Sequence, residues 1–275
     1  MSINLTPPIK VPENGFANHS QNDYLKSVKC FFEEIGSLTK FTFRFFREAI
    51  RPRYELNEVV RQSYSIGYNS FPLVAVTAFI MGLVLTIQSR PTLAQFGAQS
   101  WLPAMVTVSI IRELGPAITA LIFAGKVGSR IGAELASMRV TEQIDAMEVS
   151  GINPFKYLVV TRVIAATITL PVLVVISDTV SLYSTYIAVN MKDNLSFPLF
   201  FIQVFQSIGF SDLLPSVIKT FFFGFAIGII SCYKGYNSNN GTEGVGMAAN
   251  SAVIFGLLSI FIIDMIAVQI ISLVT

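Results

Sequence analysis

The chain has 275 residues, 52% of them hydrophobic and only 13% charged, with 23 phenylalanines and a mean hydropathy of +0.61. A soluble domain of this length carries about twice that charged fraction, so the composition excludes an ordinary water-soluble enzyme and describes an integral membrane protein with short loops. The net charge of +2 makes no case for a nucleic-acid partner, and Cys30 and Cys232 form neither a disulfide framework nor a metal-ligand spacing. The one histidine, His19, stands in a polar N-terminal stretch, which removes histidine relays, zinc sites and Ser-His hydrolase chemistry from the membrane.

Residues 1–23 are rich in Pro, Asn and Ser, lack a long apolar core and contain no arginine, so they read as a disordered tail rather than a targeting peptide. Residues 24–70 are expected to form interfacial and elbow helices. Within them, Val28, Phe31, Phe32, Ile35, Leu38, Phe45, Phe46 and Ala49 recur at helical spacing, with Lys26, Lys29, Lys40, Arg44 and Arg47 on the remaining arc. That pattern predicts an amphipathic helix lying in the membrane interface.

Residues 71–275 form the expected transmembrane domain. Five apolar runs approach the roughly 20 residues needed to cross a bilayer: about 71–88, 101–124, 163–189, 213–232 and 251–274. The segment 197–210 is shorter, contains Pro198 and suits a short surface helix. Basic residues set the orientation. Lys10 to Arg61 precede the first span, Lys126, Arg130, Arg139, Lys156 and Arg162 lie between the second and third, and Lys234 lies between the fourth and fifth. Only Arg90, Lys192 and Lys219 count for the other side. The N-terminus is therefore expected in the cytoplasm, and five spans put the C-terminus outside.

The second run carries Arg112 and Glu113 side by side, eleven and twelve residues after Trp101. Eleven residues of helix rise about 16 Å, half the hydrocarbon thickness, which is too deep for easy snorkelling. Adjacent helical residues point about 100° apart, so each charge needs its own partner or water. Pro116 lacks the N–H that would bond to the carbonyl of Arg112 and predicts a kink. A charge pair at this depth marks either a polar substrate cavity or a structural lock. Asp178 and Asp264, in the third and fifth runs, are candidate partners for Arg112, with a plain helix–helix hydrogen-bonding role equally open for Asp178. Past the proline, Pro116, Ala120, Ala124, Gly128, Gly132 and Ala136 make a ridge of small residues that allows close helix approach.

The connector 132–155, GAELASMRVTEQIDAMEVSGINPF, is too ordered for a plain linker. Thr141 can cap a helix, Glu142 suits its first turn, Ile144 and Met147 give an apolar face, Gly151 suits the end and Pro154 prevents continuation. A short cytoplasmic helix with exposed Ile144 and Met147 is expected, either a solvated connector or a docking element for a soluble partner. No GxxxxGK(S/T) phosphate loop is present: AGKVGS at 124–129 has Ala120 where the first glycine belongs. ATP-driven work would need a separate hydrolysing subunit.

The block RELGPAITALIFAGKVGSRIGAELASMRVTEQIDAMEVSGINPF, 112–155, closely resembles the permease subunits of Mla-type phospholipid ABC transporters, the MlaE or YrbE-like family. So do GLVLTIQ at 82–88, GTEGVGMAANSAV at 241–253 and Asp264, with Met247 to Asn250 as a departure where the family has a basic residue and threonines. The resemblance, over about residues 55–275, implies an all-α homodimer in the bacterial inner membrane. It also implies two cytoplasmic ATPase subunits that bind ATP and Mg, an MCE-domain lipid-binding partner on the other face, and phospholipid as cargo. This chain would bind no cofactor and catalyse no reaction. By position, Arg112, Glu113, Ile87 and Arg90 would line the lipid cavity, and Glu142, Gln143, Asp145 and Met147 would form the coupling helix. The alternatives are a stand-alone secondary transporter or channel using Arg112, Glu113, Asp178 and Asp264 as an ion path, or a permease for another hydrophobic cargo such as sterols.

Overall fold

The computed structural model describes residues 16–51, 55–191, 195–238 and 241–274, and they are all-α, with no strand among them. Helix α1 spans Phe16–Ile50, α2 Leu56–Gln95, α3 Gln99–Val140, α4 Gln143–Val149, α5 Phe155–Asn190, α6 Phe197–Ser207, α7 Phe210–Tyr236 and α8 Gly241–Val274. Five of them, α2, α3, α5, α7 and α8, are long and apolar enough to cross a membrane.

These helices overrun the apolar stretches that reveal them. The 40 residues of α2 reach about 60 Å, twice a hydrocarbon core, so the helix extends well past the lipid-matched run 71–88. Residues 56–70, expected among the interfacial and elbow helices, are therefore the polar first turns of a spanning helix. In the same way α1 reaches back to Phe16, into the stretch read as tail, because no Gly or Pro lies between Phe16 and Tyr24 to interrupt it. Residues 1–15 lie outside the described residues.

The chain divides into two compact units, residues 1–44 and 45–275. In the first, α1 exposes Phe32, Ile35 and Phe43, side chains suited to lipid rather than water. In the second, the last turns of α1 are anchored. Phe45 is buried and meets Phe225 of α7 edge-on at 5.6 Å, and buried Glu48 accepts a hydrogen bond from Asn153 Nδ2 at 3.1 Å. Lys156 Nζ donates to the Arg51 carbonyl at 2.8 Å, so the first turn of α5 is tied to the end of α1.

Close helix packing in the second unit rests on missing side chains. A Cβ on Gly82 of α2 would stand 2.3 Å from the Ser181 carbonyl of α5, and Ser181 Oγ donates back to the Ala78 carbonyl at 3.0 Å. A Cβ on Gly224 of α7 would stand 2.8 Å from the Ala166 carbonyl of α5. The small-residue ridge of α3 is buried throughout, as its spacing predicts: Gly132 meets Ala252 of α8 and lies against Gly235 of α7. Every-fourth-residue spacing drifts about 40° per step on a 3.6-residue helix. Two π turns in α3, Ile110–Leu114 and Ala124–Gly128, take up that drift. At the end of the bundle away from α4, α6 is not wholly superficial. Its Phe200 and Val204 are buried with Leu102, Val106, Ile110 and Val189 in one apolar cluster.

Candidate functional site

The site is built on the first π turn of α3. Its geometry follows from Pro116. The Gly115 N–H donates to the Ile110 carbonyl, five residues back. In that register the donor for the Ile111 carbonyl would be residue 116, and proline has none. A buried carbonyl without a donor is costly, and α7 supplies one: buried Ser216 donates its Oγ–H to the Ile111 carbonyl at 2.7 Å. The kink expected at Pro116 is thus resolved as a π turn held from a neighbouring helix.

The π turn presents its two charges to different partners. Lys219 of α7 is buried, with 2% of its side chain exposed, and its Nζ donates to Glu113 Oε2 at 2.7 Å and to Asp264 Oδ1 of α8 at 3.0 Å. Three helices meet at this one ammonium. A buried ammonium needs acceptors in contact to offset its lost hydration, and two carboxylates are there. Arg112 turns the other way, toward the first turn of α7, where its Nη1 lies 3.8 Å from Asp212 Oδ1. Asp212 also accepts a hydrogen bond from the Gly209 N–H at 3.2 Å, at the head of its own helix. Asp212 and Lys219 are seven residues apart, two turns along one face of α7, so that helix carries the counter-charge for both members of the pair.

This pairing corrects two expectations. Neither Asp178 nor Asp264 pairs with Arg112: Asp264 is taken by Lys219, and Asp178 occupies a notch on α3. A Cβ on Gly115 would stand 1.9 Å from Asp178 Oδ1, an oxygen that is buried and has no hydrogen-bond partner among the described residues. Lys219, counted for the outer surface in the sequence, lies instead inside the bundle. The signal was available, since Lys219 falls within the fourth apolar run and two turns after an aspartate. Which helices are neighbours was not. Ile87 stands exposed on α2, and Arg90 is half-buried just before Pro91.

At the other end of α3, the short helix is present but its details differ. Thr141 does not cap it: its Oγ1 donates back to the Ser137 carbonyl at 2.8 Å, prolonging α3. The turn into α4 is made by Glu142 in the left-handed region, φ 58°, the one non-glycine with positive φ among the described residues. Ile144 is fully buried rather than exposed and Met147 is half-buried, because a seven-residue helix needs an apolar anchor to stay in place. Asp145 is held by Arg139 at 2.6 Å. The exposed apolar residues are Val149, 91% exposed, and Ile152, neither of which the sequence pattern singled out. Gly151 ends the helix as expected, with φ 77° and its N–H donating to the Glu148 carbonyl.

An all-α bundle with five helices long and apolar enough to cross a membrane, and with acidic and basic side chains brought together inside it, defines a multi-pass membrane protein with a polar site in its interior. Comparison with known proteins makes the class specific. The family model described as Permease MlaE matches residues 59–270. A probable ABC transporter permease protein, RC0129 of Rickettsia conorii, is 41% identical over 241 residues, 88% of this chain and 93% of its own. The probable ABC transporter permease proteins ycf63 of Pyropia yezoensis and slr1045 of Synechocystis are 37% and 32% identical, covering 87% and 86% of this chain and 91% and 90% of their own. The chain belongs to the MlaE permease family and is an ABC transporter permease.

Proposed function

We propose that this permease moves phospholipid between the inner and outer membranes of a bacterium, maintaining outer-membrane lipid asymmetry. It would work as a homodimer in the inner membrane, N-terminus cytoplasmic and C-terminus periplasmic, with ATPase subunits below and an MCE-domain protein above. The observation that carries the reading is the cluster of Arg112, Glu113, Lys219 and Asp264: charges of both signs, partly exposed around a buried ammonium, inside a bundle of apolar spanning helices. A headgroup with a phosphate and an amine needs both signs, and its acyl chains need the apolar walls. Ile87 and Arg90 would line the outer part of the cavity.

Energy would enter through α4. Glu142, Gln143 and Asp145, together with Val149, stand exposed on a helix anchored by Ile144, an arrangement suited to docking on an ATPase that holds the ATP and Mg. Closure of the ATPases would move α4, and α3, which leads from α4 to the charge cluster, would carry the displacement to the cavity.

Lipid analysis of the purified assembly tests the cargo. Phospholipid is expected to co-purify, and Arg112→Ala and Glu113→Ala are each expected to change its transfer between vesicle populations while the complex still assembles. Normal transfer by both variants, or purification without any ATPase subunit, refutes the reading.

A further inference from the structure

Away from the charge cluster, α2 and the α4-facing half of α3 diverge around a cavity of ≈ 280 Å³. Its walls carry Gln62, Asn69 and Ser70 from α2 and Lys126, Arg130 and Glu134 from α3. Gln62 and Asn69 are seven residues apart on one face, and Lys126, Arg130 and Glu134 follow at four-residue steps on the other, so two polar rows face one another.

Three features mark this cavity as a binding site. First, its charge is positive: Lys126 and Arg130 line it against the single carboxylate of Glu134, which Arg130 Nε holds at 2.7 Å and which the buried Arg162, outside the cavity wall, approaches at 3.6 Å. Among the described residues, Lys126 Nζ donates only to the Asn69 carbonyl and the Arg130 Nη groups have no acceptor. Second, Ser70 is 1% exposed and its Oγ has no hydrogen-bond partner among the described residues, an unused donor buried in the wall. Third, the cavity lies where the apolar runs of both helices end, the depth at which headgroups are expected. The apolar run of α2 starts at Phe71, directly after Ser70, and that of α3 stops at Ala124, two residues before Lys126. From Asn69 an exposed apolar stripe continues up α2 through Leu73, Val76 and Ile80.

Cations and unpaired donors at headgroup depth, below an exposed apolar stripe, suit an anionic lipid with its phosphate in the cavity and its chains along the helix. We infer that this cavity binds the phosphate of an anionic phospholipid from the leaflet on the α4 side. The site is separate from the charge cluster and depends on membrane embedding alone, not on the cargo or the ATPase coupling proposed above.

The test uses the full chain in its purified assembly, delipidated in detergent and incubated with phosphatidylglycerol, phosphatidylcholine or inorganic phosphate, with native mass spectrometry as the readout. Retention of phosphatidylglycerol over phosphatidylcholine is expected. The double variant K126Q/R130Q is expected to lower phosphatidylglycerol retention about tenfold, the loss of one charge-assisted hydrogen bond. S70A, which alters no charge, is expected to lower it about threefold and keeps the test valid should the double variant fail to assemble. Unchanged retention in S70A and in an assembled K126Q/R130Q overturns the inference. So does displacement of the lipid by millimolar inorganic phosphate, which would make the occupant a free anion. Transfer between vesicles and ATPase association are expected to survive S70A, so failure here and failure of the transport reading are told apart.

Discussion

Replacing Lys219 by Met removes the ammonium that α3, α7 and α8 share. The side chain is 2% exposed, and its Nζ lies 2.7 Å from Glu113 and 3.0 Å from Asp264. Met fills similar volume, so packing changes little. What changes is charge: two carboxylates, 35% and 23% exposed, now face each other without a cation. Breaking a buried ion pair by removing one partner costs about 3–5 kcal/mol. Partial exposure of both acids to solvent reduces this, so about 2–3 kcal/mol is expected. The assay is equilibrium unfolding of purified protein in detergent, followed by helix content. Adding E113Q and D264N to K219M removes the uncompensated charge, and the triple variant is expected to recover most of the loss. A K219M protein as stable as the parent, or a triple variant no better than K219M, would refute the idea that the ammonium is the electrostatic link between the three helices.

Other expectations follow from single contacts. S216A leaves the Ile111 carbonyl without a donor and should cost about 1–3 kcal/mol in the same unfolding assay, with S216T restoring part of it. G82A drives a methyl group into the Ser181 carbonyl and should separate α2 from α5 at a cost of about 1–3 kcal/mol, whereas G256A, whose Cβ would meet Ala124 Cβ at 3.6 Å, should be near neutral; equal effects would contradict the packing described. V149D places a charge on the exposed knob of α4 and is expected to reduce ATPase co-purification while leaving unfolding unchanged, a result that the alanine-like tolerance of a solvated connector would not give.

Much of the fold was legible in the chain. Composition and five long apolar runs require an all-α membrane protein, because lipid offers no partner for backbone polar groups outside helices. The small-residue ridge of α3 and the glycine end of α4 follow from local sequence, since close approach and left-handed backbone each demand particular residues. Where Ile144 and Thr141 departed from expectation, local rules met tertiary ones. A seven-residue helix must bury an anchor to persist, and a threonine at a helix end can bond backward as readily as forward.

The charge cluster marks the boundary between the two kinds of information. Sequence alone placed Arg112, Glu113 and Asp264 within apolar runs, counted Lys219 for the outer side although it falls in the fourth run, and had Pro116 deprive the Arg112 carbonyl of its donor. It could not say that a π turn would shift the loss to the Ile111 carbonyl and Ser216 would serve it, that Lys219 rather than Arg112 would take Asp264, or that Gly115 would make room for Asp178. Those outcomes depend on which helices are neighbours and on their relative depth, and both are set by packing between segments 45 to 106 residues apart in the chain. A one-residue change of register at the π turn would rotate both Arg112 and Glu113 by about 100° and away from their partners, and the packed bundle fixes that register.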